Sequence, residues 1–82
     1  MISFSAMAKY FFHVRSDDTY SPDDQGVDFP NIEAAKREAI AAAREMIADM
    51  VIEGDPLDGM RFEVTDENGN IVLILPFRFV LD

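Results

Sequence analysis

The residues best suited to chemistry lie together near the start of the chain. The only histidine, His13, precedes the stretch SDDTYSPDDQG, residues 16–26, which holds Asp17, Asp18, Asp23 and Asp24. An imidazole beside carboxylates could act as a general base or as a metal ligand. Catalysis needs an oriented partner within hydrogen-bond reach of the imidazole. Nothing in the spacing enforces one, so the more ordinary reading is a surface or interface histidine.

The aspartate spacing does not fit a calcium loop. Such a loop needs oxygen ligands at alternating positions, an internal glycine and a closing bidentate acid. Here the acids form two adjacent pairs, the glycine follows them, and no glutamate closes the loop. Aspartates in loops commonly cap backbone amides. The chain also lacks a phosphate-binding glycine loop, a nucleophile elbow and a His–Glu zinc motif. We therefore predict no catalytic residue, no metal and no cofactor, and a protein that is not an enzyme.

The elements that position these residues form a β-β-α-β-β pattern. Residues 9–15, KYFFHVR, are aromatic and β-branched and predict a strand. Its alternation places Tyr10, Phe12 and Val14 on one face and Phe11, His13 and Arg15 on the other. Residues 25–29 predict a short second strand, which residues 19–20 could extend. The pattern favours an α+β domain with a single helix on one face of a mostly antiparallel four-stranded sheet.

The central helix has the clearest signals. Asn31 is a favourable N-cap, and Gly54 with Pro56 predicts the end of the helix near Glu53. An alanine-rich apolar stripe, with small residues that would let the helix approach a sheet closely, contains Ile32, Ala35, Ala39, Ala43, Met46 and Met50, with Ile47 beside it.

The closing hairpin leads to the main functional prediction. Asn68 and Gly69 indicate a two-residue turn. In the last strand Ile71, Leu73, Leu75 and Phe77 should share one face, and Val72 and Ile74 the other. A strand that is apolar on both faces is usually covered on both sides, and one helix covers only one. We expect a second copy of the chain to cover a surface made by Phe11, His13, Val72 and Ile74; another protein, or the N-terminal extension with Phe4, could also cover it.

The charge balance limits the other partners. The 82 residues carry 16 acidic and 7 basic side chains, for a net charge of −9. This disfavours binding to nucleic acid or to anionic membranes, both of which require a basic surface. The negative charge could serve only to keep the protein soluble, or it could attract a basic protein partner. The leading hypothesis is a non-enzymatic homodimer. The alternative is an acidic, antitoxin-like regulator of a basic protein, with the four loop aspartates as the first docking candidates.

The ends of the chain and its location give further expectations. Residues 1–8, which include the uncharged MISFSA, read as an N-terminal extension before a single domain over residues 9–82, with Met7 as the expected natural start. The sequence shows no signal-peptide pattern and has no cysteine, which favours the cytoplasm.

Three motifs in order resemble a known family. YFFHVR, then DDQGVDFPNIEAAKREA, then LDGMRFEVTDENGNIVLILPF are similar to small bacterial proteins of a domain-of-unknown-function family, frequent in rhizobia and related alphaproteobacteria. The resemblance covers residues 9–77. It implies a fold but no activity, because the matching positions, such as Gly26, Pro30 and Gly69, are turn and cap residues. Many members of the family have aspartate at the position of His13, which implies that this histidine is not essential.

Overall fold

The computed structural model describes residues 7–54 and 59–80, so residues 1–6 of the predicted extension lie outside this part, and Ala8 belongs to the first strand. Strand β1 (Ala8–Arg15) is followed by two short strands, the helix, a β-hairpin and one 3-10 turn. These elements are β2 (Tyr20–Ser21), β3 (Val27–Phe29), α1 (Ile32–Glu53), β4 (Arg61–Thr65), β5 (Ile71–Pro76) and the 3-10 helix (Phe77–Val80). The predicted α+β class is confirmed. The sheet has five strands rather than four, because the second strand is divided into β2 and β3.

The sheet is antiparallel throughout, in the order β2-β1-β4-β5. The third strand, β3, also pairs with β1, at Ala8–Tyr10, whereas β2 pairs with Val14 and Arg15. The amide of Phe12, between these two paired stretches, donates to a side chain of the segment that joins β2 to β3. One edge of β1 is thus bordered along its length by the segment that the sequence marked as acidic.

Helix α1 covers one face of the sheet, as predicted. The alanines of the stripe, Ala35, Ala39 and Ala43, are fully buried, and their small side chains let the helix backbone lie close to the strands. Ile47 is buried more deeply than Met46 and Met50. Near the C-terminal end of α1, the side chain that faces the core is therefore Ile47. The core consists of Tyr10, Ala35, Ala39, Ala43, Ile47, Phe62, Val64, Leu75 and Phe77.

The helix begins and ends where the sequence predicted. The Asn31 side chain accepts a hydrogen bond from the Ala34 amide at 2.9 Å, which satisfies one of the unpaired amides of the first turn. At the other end Gly54 adopts a left-handed conformation, with φ +78°, and its amide reaches the carbonyls of Met50 and Val51.

The hairpin differs from its prediction at two points. The turn is longer than two residues, because the Asp66 amide donates to the Asn70 carbonyl and the Gly69 amide donates to the Asp66 carbonyl. The Asp66 carboxylate also accepts the amides of Asn68 and Asn70 at 2.9 and 3.0 Å. A register shift then places Ile71 opposite Thr65 instead of in phase with Leu73. The prediction that Ile71 shares the helix-facing side was therefore wrong, and Ile71 is 54% exposed.

Within the described part of the chain, neither helix combines the length and the apolar character that a membrane crossing requires.

Candidate functional site

The sheet face opposite α1 is an ordered surface that the helix leaves uncovered. Cross-strand register aligns His13 of β1, Glu63 of β4 and Ile74 of β5 in one row. We call this surface the open face; the cross-strand register assigns to it Phe11, His13, Arg15, Arg61, Glu63, Thr65, Ile71 and Ile74, and Val72 lies in the bulge between the last two. Of the four residues that the sequence predicted for an interface, the register places Phe11, His13 and Ile74 on this face, whereas Val72 lies in the bulge and has no cross-strand partner.

His13 is held by two hydrogen bonds, one at each ring nitrogen. Nδ1 accepts the Asp23 amide at 3.0 Å, so the neutral ring carries its proton on Nε2. Nε2 then donates to the Thr65 hydroxyl, also at 3.0 Å. The ring stacks on Phe11, with centroids 6.4 Å apart and planes within 8° of parallel. To act as a base or a metal ligand, the imidazole would first have to break one of these bonds.

Asp23 completes the edge of the sheet. Its Oδ2 atom accepts the Phe12 amide at 3.0 Å, in the gap that β2 and β3 leave along β1. Its Oδ1 atom accepts the amides of Gln25 and Gly26 at 3.1 and 3.2 Å, which closes the turn into β3. A single carboxylate thus replaces a missing stretch of strand, and the interpretation of the loop as amide-capping is confirmed at this residue.

The pKa of Asp23 reflects this bonding. Burial raises the pKa of the carboxyl group, but the three amide hydrogen bonds and the nearby His13 together lower it further than burial raises it. The result is a pKa below the ordinary value of 3.8. A carboxylate with a depressed pKa stabilises the folded chain above its unfolded pKa and loses that contribution as the pH falls through its folded pKa.

Asp23→Ala is expected to lower the free energy of unfolding by about 1–2 kcal/mol at pH 7, because charge-assisted amide bonds are lost at a partly exposed edge. The difference from the unmodified chain should shrink below about pH 4, where the carboxylate becomes protonated. Urea unfolding at several pH values measures both effects. Asp24→Ala is the matched control, since the adjacent Asp24 is exposed. Equal losses in the two variants would contradict the role given to Asp23.

The other three loop aspartates do not join His13. Asp17, Asp18 and Asp24 are exposed. Asp17 lies against Gly59, where a Cβ would come within 2.6 Å of its Oδ1 atom, so this contact requires glycine. Within residues 7–54 and 59–80, no three acidic or histidine side chains cluster closely enough to hold a metal ion.

An ion-pair cluster, which the sequence reading did not identify, lies at the centre of the open face. Glu63 forms a salt bridge with the Nε atom of Arg15 at 3.0 Å and accepts a hydrogen bond from the Nε atom of Arg61 at 3.3 Å. The Arg15 guanidinium also lies 4.0 Å from the centre of the Tyr20 ring. The alternation of β4 could have placed Arg61 and Glu63 on this face, but their pairing with Arg15 depends on strand order. The cluster carries two positive charges and one negative charge, in a chain whose net charge is −9.

The β5 side of the open face is apolar. Val72 is 40% exposed and Ile74 is 51% exposed, although both lie on a strand. Beyond Ile74, a shallow hollow of about 300 Å³ is lined by Gly59, Met60, Arg61, Pro76 and Arg78. Its lining offers guanidinium, thioether and backbone groups but no nucleophile or general base. The open face therefore combines an ordered aromatic and ionic half on β1 and β4 with an exposed aliphatic half on β5.

Comparison with known proteins gives one match. A family model described as a domain of unknown function, DUF6894, matches residues 9–78. This agrees with the resemblance to a small domain of unknown function. No curated protein and no solved structure matches the chain.

Proposed function

Since the chain belongs to the DUF6894 family, whose function is unknown, we propose a function from its own geometry. The protein acts by protein–protein contact and not by catalysis, and it forms a homodimer through the open face. The contact uses Phe11, His13, Val72 and Ile74, with the aliphatic pair at its centre. A cytoplasmic location is part of the proposal and is compatible with a sequence that contains no cysteine.

The exposure of Val72 and Ile74 carries this proposal. Single exposed apolar residues are normal, but here three lie within four residues of one strand, Ile71, Val72 and Ile74, with Ile71 and Ile74 on the open face. Each aliphatic side chain that becomes fully buried contributes about 1.5–3 kcal/mol relative to water. A partner that covers the open face would therefore gain its affinity mainly at β5.

The charge distribution supports a second copy as the partner. Two chains of charge −9 repel each other at most orientations. On the open face the charged side chains are Arg15, Arg61 and Glu63, which are already paired. This face is thus a surface on which two copies can approach without placing unpaired carboxylates against each other.

The state of His13 supports contact over catalysis. Both ring nitrogens are already engaged, with the Asp23 amide and the Thr65 hydroxyl. The ring is a rigid part of the surface, stacked on Phe11. A rigid aromatic surface loses little side-chain entropy when a partner binds.

Ile74→Asp tests the proposal, because it places a charge at the centre of the expected contact. We expect the unmodified chain to be a dimer and the variant to be a monomer at the same concentration, with the dissociation constant raised at least about a hundredfold. Size-exclusion chromatography with light scattering measures this.

Ile52→Asp is the matched control. It makes the same change on α1, where Ile52 is 83% exposed and lies away from the open face. It should leave the dimer intact, and circular dichroism should show both variants folded. A monomeric unmodified chain, or a dimer that persists in folded Ile74→Asp, would overturn the proposal.

The second candidate function is an acidic, antitoxin-like regulator that binds a basic protein. The exposure of Asp17, Asp18 and Asp24 on one loop favours it. Raising the salt concentration separates the two functions, because salt screens the repulsion between two acidic chains but also screens the attraction to a basic partner. Binding that strengthens with salt supports the homodimer, and binding that weakens with salt supports the regulator.

A further inference from the structure

Two arginines lie opposite each other in the last cross-strand row of the open face. The register pairs Arg15 of β1 with Arg61 of β4, and Arg61 with Pro76 of β5. Like charges at directly opposite positions destabilise a sheet. The Glu63 carboxylate offsets this cost, because it contacts the Nε atoms of both arginines. The row still concentrates positive charge in a chain whose net charge is −9, which sheet stability alone does not explain.

The hollow at the end of this row brings in a further arginine. Its lining consists of Gly59, Met60, Arg61, Pro76 and Arg78. Arg78 belongs to the 3-10 helix and is exposed. Two guanidinium groups thus share one hollow, and none of the described residues that line it is acidic. Because guanidinium groups form strong hydrogen bonds with carboxylates and phosphates, the hollow favours an anionic ligand.

Arg61 is already oriented by the residues around it. Its Nε atom donates to Glu63 at 3.3 Å, and its Nη1 atom donates to the Gly59 carbonyl at 3.0 Å. These two bonds fix the plane of the guanidinium group, whose other N–H groups can then bind a ligand. A donor that is held in place before binding loses less side-chain entropy when the ligand arrives.

The rest of the hollow limits what can bind. Met60 and Pro76 supply an apolar wall. The volume of about 300 Å³ is at the lower end of the range for small-molecule sites, so a compact ligand fits best. One carboxylate opposes an anion there, because Asp17 lies against Gly59. Asp17 is exposed, and solvent therefore weakens its repulsion.

We propose that the hollow binds a small organic acid. The carboxylate of the ligand contacts the guanidinium groups of Arg61 and Arg78, and its apolar body packs against Met60 and Pro76. A single carboxylate matches the charge better than a doubly charged phosphate, because Glu63 already neutralises part of the charge on Arg61. This site goes beyond the proposed function and does not depend on it, since none of the predicted contact residues lines the hollow.

Benzoate is a suitable probe, because it joins one carboxylate to a compact apolar ring. The backbone amide signals of Met60, Arg61 and Arg78 are followed by NMR while sodium benzoate is added to the full chain. We expect saturable shifts with a dissociation constant below about 10 mM. Benzamide, which has the same shape without the charge, and sodium chloride at equal concentrations should bind at least about tenfold more weakly. Shifts that do not saturate, or that are equal for benzoate and benzamide, would overturn the proposal.

Arg78→Gln tests the assignment of the guanidinium groups. We expect this variant to raise the dissociation constant for benzoate at least about tenfold, and its exposed position should leave the fold intact. Arg44→Gln is the matched control, since Arg44 is exposed on α1, and it should leave benzoate binding unchanged. Equal effects of the two variants would overturn the site. Light scattering without benzoate reports the dimer separately, so either proposal can fail while the other stands.

Discussion

Phe77→Ala is expected to lower the free energy of unfolding by about 3–5 kcal/mol, the range for removing a buried phenylalanine. Phe77 has no exposed surface, and its ring packs edge-on against Phe62 with centroids 5.1 Å apart. Phe77 is the first residue of the 3-10 helix, which follows β5 and contacts α1. Its burial therefore stabilises the packing of this end of the chain against α1. A loss of this size is comparable with the whole stability of many small domains.

Denaturant unfolding followed by circular dichroism measures this loss. Phe79→Ala is the matched control, because Phe79 belongs to the same 3-10 helix but is 64% exposed. The control should change the free energy of unfolding by no more than about 0.5 kcal/mol. Similar losses in the two variants would show that the core does not extend to Phe77.

Ala39→Leu is expected to lower the free energy of unfolding by about 2–3 kcal/mol, the upper part of the range for overpacking a core. Ala39 is fully buried at the centre of the alanine stripe, where α1 lies against the sheet. A leucine there must push the helix away from the strands or adopt a strained rotamer. Its higher hydrophobicity brings no gain, because no space is left to fill.

The control for this substitution is Ala41→Leu on the same helix. Ala41 is exposed, and leucine and alanine have similar helix propensities. Thermal unfolding of both variants should show a lower midpoint for Ala39→Leu only. An unchanged midpoint for Ala39→Leu would mean that the helix and sheet are less closely packed than the structure shows.

Local signals predicted the elements of the fold. The N-cap at Asn31 and the left-handed conformation of Gly54 depend on contacts within a few residues, so the local sequence is enough to predict both. The alternation of β1 and β4 likewise assigned side chains to the correct face. These features needed no knowledge of strand order.

The wrong predictions for the hairpin arose because two local signals in its turn compete. Asn68 and Gly69 favour a tight turn, but the Asp66 carboxylate binds two amides beyond it and stabilises a longer loop. The resulting bulge moves Ile71 out of phase. An alternating sequence pattern assigns side chains to faces correctly only along an uninterrupted strand, so it could not reveal this bulge.

The candidate site was predictable by its residues but not by its connections. The sequence placed Phe11, His13, Val72 and Ile74 on one face; the register agrees for Phe11, His13 and Ile74, whereas the bulge leaves Val72 without a cross-strand partner. The bond from His13 to Thr65 joins residues 52 positions apart, and the Asp23 carboxylate reaches Phe12 across 11 positions. Such contacts are fixed by strand order, which the sequence alone left undetermined.

The unequal edges of the sheet connect the fold to the proposed function. The acidic loop, which first suggested catalysis, protects the edge of β1 through Asp23. The edge of β5 has no such cover within the described residues and is apolar and uncharged. The proposed partner contact is on the open face, which lies beside this edge.

Sedimentation equilibrium of the unmodified chain, from about 1 µM to about 1 mM, tests the central claim most directly. The account predicts a mass that approaches twice the 9.2 kDa of the chain as concentration rises, and an earlier approach in higher salt. A mass that stays at 9.2 kDa throughout this range would contradict self-association through the open face.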